Sequence, residues 1–143
     1  MLRIRNTINT VAIIAIAFAS TMFASSCKKS SSSNDADALV GTYYGTLVTQ
    51  GVYTSDDTIT ITKSSSSSIV MNSRTGAGSV YNVTGSVSGK NITIASQQVT
   101  VPSLSETFTV TGTGNLSGST LALSMTFVTG GSTYDLSYSG TKQ

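Results

Sequence analysis

From Leu39 to the C-terminus the sequence alternates with a period of two, and that pattern excludes most folds. Thr58-Ile59-Thr60-Ile61-Thr62 is strict alternation, as is Thr120-Leu121-Ala122-Leu123-Ser124-Met125-Thr126-Phe127. Such a pattern puts apolar side chains on one face of a strand and hydroxyls on the other. No segment of this region holds a helical period, and Thr, Val, Ile and Tyr suit a pleated surface. Eight strands are predicted, near residues 40–50, 57–63, 68–73, 79–88, 91–101, 104–114, 119–128 and 133–141. Short turn strings separate them: Ser64 to Ser67, Arg74 to Gly78, Ser88 to Asn91, Ser117 to Ser119, and Gly130-Gly131. Gly supplies the positive φ of tight hairpins, and Pro102 stops a strand.

Eight short-linked strands with one apolar face each require an antiparallel meander that buries that face. Closure into an up-and-down barrel removes both edges, leaving an interior that is filled or holds one small ligand. A two-sheet β-sandwich is the structural alternative. Gly85 to Ile94 and Gly114 to Leu123 share a Gly-x-aliphatic-Ser-Gly-x-x-aliphatic-x-aliphatic pattern at a spacing of 29. Solenoids need about three copies, so these are read as two similar hairpins of one meander.

The N-terminus has a different character. Arg3 and Arg5 precede a nine-residue apolar run, Val11 to Ala19, and then small and polar residues up to Cys27. A membrane-spanning helix needs about 20 apolar residues, so the run fits a secretory h-region. Phe23-Ala24-Ser25-Ser26-Cys27 resembles the cleavage region of a bacterial lipoprotein signal. That resemblance implies a helical signal peptide over residues 1–26, cleavage before Cys27, and acylation of Cys27 as a membrane anchor. An ordinary signal cut near Ala24, leaving Cys27 a free thiol, is the competing reading. Lys28 and Lys29 would sit at the headgroups, and residues 27–38 would form a Ser-rich tether too polar to fold. Residues 39–143 form the domain. From Cys27 onward basic and acidic side chains balance at six each, so the formal charge of +2 belongs to the export segment.

Within the domain, Leu39-Val40-Gly41-Thr42-Tyr43-Tyr44-Gly45-Thr46-Leu47 resembles the opening strand of lipocalin-like (calycin-like) domains of bacterial lipoproteins. Tyr134-Asp135-Leu136-Ser137-Tyr138-Ser139-Gly140-Thr141-Lys142 is similar to their last strand. The lipocalin Gly-x-Trp stands here as Gly41-Thr42-Tyr43, with no late Arg to pack over it. The resemblance implies an all-β, eight-stranded antiparallel barrel. It also implies lipid attachment at the bacterial outer membrane, facing the periplasm or the surface.

Composition limits the chemistry. With 26 serines, 23 threonines, no His and one Cys, the chain can build neither a Ser-His-Asp relay nor a thiolate zinc cluster. No catalytic residue, cofactor or metal ligand is predicted. Eight scattered basic residues form no nucleic-acid stripe. Asp56 and Asp57 are adjacent and are expected to solvate a loop before the strand at Thr58. Glu106 is expected at a barrel rim. Only a convergence of Glu106, Asp135 and Lys90 would point to a hydrolase. By strand parity Tyr43, Tyr81, Phe108, Phe127, Tyr134 and Tyr138 face inward. They read first as the core of a filled barrel and second as a clasp for a small amphipathic ligand. The favoured function is a non-enzymatic, membrane-tethered binding module for a small apolar or amphipathic ligand. An adhesion or inhibitor module with a filled barrel is the alternative.

Overall fold

The computed structural model describes residues 34–75, 78 and 80–143. The expected signal peptide over 1–26, Cys27 and the start of the tether lie outside the described residues. A short helix, α1 (Asp35–Leu39), precedes eight strands: β1 (Gly41–Thr49), β2 (Tyr53–Ser65), β3 (Ser68–Thr75), β4 (Val80–Ser88), β5 (Asn91–Val101), β6 (Glu106–Ser117), β7 (Thr120–Thr129) and β8 (Ser132–Lys142). Each strand pairs antiparallel with the next, and β8 returns to β1 through Tyr43↔Lys142 to Thr49↔Leu136. The sheet is thus a closed up-and-down barrel, and the two-sheet sandwich is not formed. Burial alternates along β4 and β7 residue by residue, as the hydroxyl-aliphatic pattern requires.

Two boundaries differ from the sequence reading. β2 begins at Tyr53, so Asp56 and Asp57 lie within a strand rather than in a loop before it. β6 begins at Glu106, because Pro102–Leu104 makes one 3-10 turn ending at Ser105 in the left-handed region. The Gly130-Gly131 hairpin has positive φ at both central residues, 54° and 82°, the geometry whose twist suits flanking strands.

One end of the barrel is sealed. Residues 35–38, expected to be tether, are folded in α1, and Ala36 and Leu39 are completely buried. A five-residue helix has no stability of its own. Its neighbours hold it instead. Ala36 N–H donates to the Ser66 carbonyl at 3.3 Å, Gly89 N–H donates to Asp35 Oδ2 at 2.7 Å, and Lys63 pairs with Asp37 at 2.7 Å. Tyr43 hydroxyl donates to the Leu39 carbonyl at 2.8 Å. Lys142 Nζ lies 5.9 Å from the Tyr43 ring centroid and donates to the Ala38 carbonyl. Above α1 the interior is filled by aliphatic side chains, among them Ile59, Ile61, Ile69, Ile92 and Leu121.

The β4–β5 seam is unlike the others. Only Ser86↔Thr93, Val87↔Ile92 and Ser88↔Asn91 pair, and β5 changes register between Ile94 and Gln97. This irregularity flips the inward parity from Ile92 and Ile94 to Val99 and Val101. Gln97 replaces the missing ladder. Its Oε1 accepts from Thr84 N–H and from Thr84 Oγ1, each at 2.9 Å, and its Nε2 donates to the Thr84 carbonyl at 2.8 Å. Gln97→Ala is expected to lower stability by about 1–3 kcal/mol, since it strands both backbone groups of Thr84. Urea denaturation together with faster amide exchange at Thr84 would check this. An unchanged midpoint would show that water closes the seam equally well.

A candidate ligand cavity at the open end of the barrel

The end opposite α1 carries the β1–β2, β5–β6 and β7–β8 connections and opens into a cavity of about 660 Å³. Strand parity explains the space. At this level the inward residues of β1, β2 and β7 include Thr49, Ser55 and Thr129, which are too small to meet the rings across from them. Aromatic rings at this end come from β4 (Tyr81), β6 (Phe108), β7 (Phe127) and β8 (Tyr134). Phe127 meets Tyr81 edge to face, with centroids 5.5 Å apart, and Phe108 in the same way at 5.8 Å. Phe108 in turn meets Tyr134 at 6.2 Å. Edge-to-face contacts of this kind fix the orientation of the rings that line the cavity. Leu47, Val101 and Leu136 complete an apolar lining, and Tyr53, Leu104 and Glu106 form the rim.

The six predicted aromatics therefore divide. Tyr81, Phe108, Phe127 and Tyr134 line the cavity. Tyr43 and Tyr138 belong to the packed half, where Tyr138 hydroxyl donates to the Tyr43 carbonyl at 3.0 Å. The filled-barrel expectation holds for the sealed half alone. Glu106 is at the rim, as expected, and its Oε2 accepts from Thr129 Oγ1 at 3.1 Å. Asp135 points outward and accepts from Thr126 Oγ1, while Lys90 lies in the β4–β5 hairpin at the sealed end. These three groups are not brought together.

Sequence reasoning missed Asp57, which is 1% exposed. It is the inward residue of β2 between Ser55 at the cavity wall and Ile59 in the core. Ser73 hydroxyl donates to its Oδ2 at 2.7 Å, while Oδ1 is buried without a hydrogen-bond partner. Tyr81, paired across the ladder with Ser73, has a buried hydroxyl that likewise lacks a well-aligned partner. Burial raises the Asp57 carboxyl above its ordinary value. The Ser73 hydroxyl and the less well aligned amides of Thr58 and Arg74 only partly offset this. Burial also pushes the Tyr81 phenol up to about 12, with Ser73 opposing and the Asp57 charge reinforcing the shift. A parity count on Ser55-Asp56-Asp57-Thr58-Ile59 would have marked Asp57 as inward, given the true start of β2.

The Asp57 shift has a sign that can be tested. A carboxyl raised in the folded state binds its proton more tightly there than in the unfolded chain. Its contribution to stability is greatest below the unfolded value of 3.8 and is lost as pH rises through the folded value. Relative to Asp57→Asn, the wild-type chain should lose urea resistance as pH climbs from about 3.5, then run parallel once Asp57 is ionised. Parallel curves across the whole range would refute the burial effect.

No protein-family model matches the chain, and neither does any curated protein. Solved structures match it in fold. The redesigned β-barrel mFAP1, bound to DFHBI, superposes with a TM-score of 0.62 at 16% identity, covering 77% of this chain and 100% of that one. EF1p2_mFAP2b, also bound to DFHBI, gives 0.61 at 18% identity, covering 79% of this chain and 100% of that one. A candidate outer membrane protein of Bacteroides fragilis gives 0.58 at 16% identity, covering 76% of this chain and 46% of that one. At these identities the likeness is one of fold.

Proposed function

We propose that this protein is a membrane-tethered, non-enzymatic binding module that holds a small apolar or amphipathic ligand in the bacterial envelope. The observation that carries this reading is the cavity of about 660 Å³ with its aromatic and aliphatic wall. A volume in this range suits a small organic molecule. The barrels mFAP1 and EF1p2_mFAP2b, which share the fold, are bound to DFHBI, and their example supports an interior used for ligands. The tether rests on the signal-like N-terminus and Cys27. Three acyl chains at Cys27 would make attachment effectively permanent, because each buried methylene contributes about 0.8 kcal/mol. Since α1 lies at the sealed end, such an anchor leaves the mouth free for ligand exchange. The outer-membrane placement draws support from the lipoprotein resemblance and from the Bacteroides fragilis neighbour.

One observation favours the alternative of an interaction module. Val52, at 88% exposure, and Tyr53 and Leu104 present apolar surface around the mouth. The same rim suits an amphipathic ligand entering the barrel, and the cavity beneath it supports the ligand reading.

Native mass spectrometry of protein purified from a bacterial envelope should retain a small-molecule adduct, and the emptied barrel should bind Nile red saturably. A bare mass combined with no saturable Nile red signal would sink the proposal. Separately, Cys27→Ser should move the protein from the membrane to the soluble fraction. Unchanged membrane association would refute the anchor while leaving the cavity reading intact.

A further inference from the structure

The cavity wall is asymmetric in charge as well as in size. None of the described residues lining it is Lys or Arg, and its one charged side chain is Glu106 at the rim. Nothing there would balance the carboxylate of a fatty acid brought into a low-dielectric space, where an unpaired charge is strongly disfavoured. Just beyond the wall, Asp57 Oδ1 and Tyr81 hydroxyl are buried without well-aligned hydrogen-bond partners; the amides of Thr58 and Arg74 serve Asp57 poorly, and Ser73 serves Tyr81 poorly. Buried polar atoms so poorly satisfied are rare in folded proteins and destabilise them. Both lie next to the cavity. Tyr81 is itself a wall residue, and Ser55, the inward neighbour of Asp57 on β2, is another. Among the described residues, Ser73 is the side chain that hydrogen-bonds Asp57, and it reaches Oδ2, leaving Oδ1 poorly satisfied.

We infer that the barrel selects amphiphiles with a hydrogen-bond-donating head, cationic amines above neutral alcohols and carboxylates last, with the head set at Asp57 and Tyr81 and the apolar tail toward the mouth. The inference rests on the ligand-cavity reading and names the ligand class for it. An ammonium head supplies the counter-charge that Asp57 lacks, and its three donors serve both orphaned oxygens. An alcohol supplies one donor and no charge. A carboxylate supplies neither and is repelled by Asp57. The aromatic wall above the head group suits a tail with no hydrogen-bonding need, and the rings add a cation-attracting surface near the head.

The test compares heads on one tail. Purified protein is titrated calorimetrically at neutral pH with octylamine, 1-octanol and octanoate. Octylamine should bind at least tenfold more tightly than octanoate, with 1-octanol between them. Asp57→Asn should bring octylamine down to the level of 1-octanol, a loss of about tenfold, while urea resistance at neutral pH rises rather than falls. A residue with a purely structural role would lower stability on replacement, so the two readouts together separate recognition from folding. Tyr81→Phe, which keeps the ring, should weaken octylamine about threefold and preserves the test if the Asp57 variant does not fold. Asp56→Asn makes the same charge change on the outside of the barrel and should leave the order of heads intact. Octanoate binding as tightly as octylamine, or a preference that survives Asp57→Asn or disappears in Asp56→Asn, overturns the inference. If Nile red binds but the heads are not distinguished, the cavity reading stands and this one falls. If neither Nile red nor any octyl probe binds, both fall.

Discussion

Phe127→Ala is expected to lower stability by about 3–5 kcal/mol, the range for removing a buried aromatic from a core. Phe127 is the hub of the mouth half, touching Tyr81 at 5.5 Å and Phe108 at 5.8 Å in edge-to-face geometry. Each such pair contributes about 0.5–1.5 kcal/mol beyond area burial, and both are lost together. The cavity beneath the ring cannot collapse to recover the contacts, because rigid β-strands surround it. Phe127→Leu keeps most of the volume and loses only the ring geometry, so it should cost less than half as much. Equilibrium urea unfolding of the two variants measures the difference. An alanine cost under about 1 kcal/mol would mean that the aromatic cluster is not packed in solution.

The second large effect lies at the closure of the barrel. Gly45 on β1 stands opposite Gly140 on β8, in the ladder that joins the two ends of the sheet. A Cβ at residue 45 would meet the Ser139 carbonyl oxygen and the Gly140 Cα, both backbone atoms. Backbone in a closed sheet cannot swing aside as a side-chain tip can. Gly45→Ala must therefore push β1 from β8 and weaken the ladder bonds between them. Overpacking costs about 1–3 kcal/mol, and each backbone group left unpaired adds about 1–3 more. The expected loss is about 3–5 kcal/mol, with faster amide exchange concentrated on β1 and β8. Serine at the same position has the same Cβ and should behave alike. Full stability in Gly45→Ala would show that the two strands have room to spare.

Both sites show how the period-two pattern works and where it stops. Alternation identified Phe127 as inward, because Leu121, Leu123, Met125 and Phe127 share one parity of a single unbroken strand. It did not show that Tyr81, Phe108, Phe127 and Tyr134, packed edge to face, would border an open cavity rather than close off the interior. That outcome depends on which small residues lie across the barrel, a question of cross-strand register over the whole closed sheet. Parity also fails at irregularities. The register shift in β5 exchanges inward and outward positions between Ile94 and Val99, and no residue type in Ala95-Ser96-Gln97 signals it. α1 escaped for a related reason. Asp35-Ala36-Asp37-Ala38-Leu39 is a single turn whose formation depends on Ser66, Gly89 and Lys63, residues far along the chain.

Local pattern was enough to read the all-β class, eight strands, the inward parity of Tyr43, Tyr81, Phe108, Phe127, Tyr134 and Tyr138, and a surface covered by hydroxyls instead of charges. These follow from local rules: alternation, β-propensity and the turn chemistry of Gly and Pro act over a few residues. That one end is plugged and the other hollow, and that Asp57 lies buried beside the hollow with one oxygen poorly satisfied, emerges only when the barrel closes. Those properties depend on which side chains meet across a closed barrel. They arise from distances between residues far apart in sequence, which alternation within a strand does not encode.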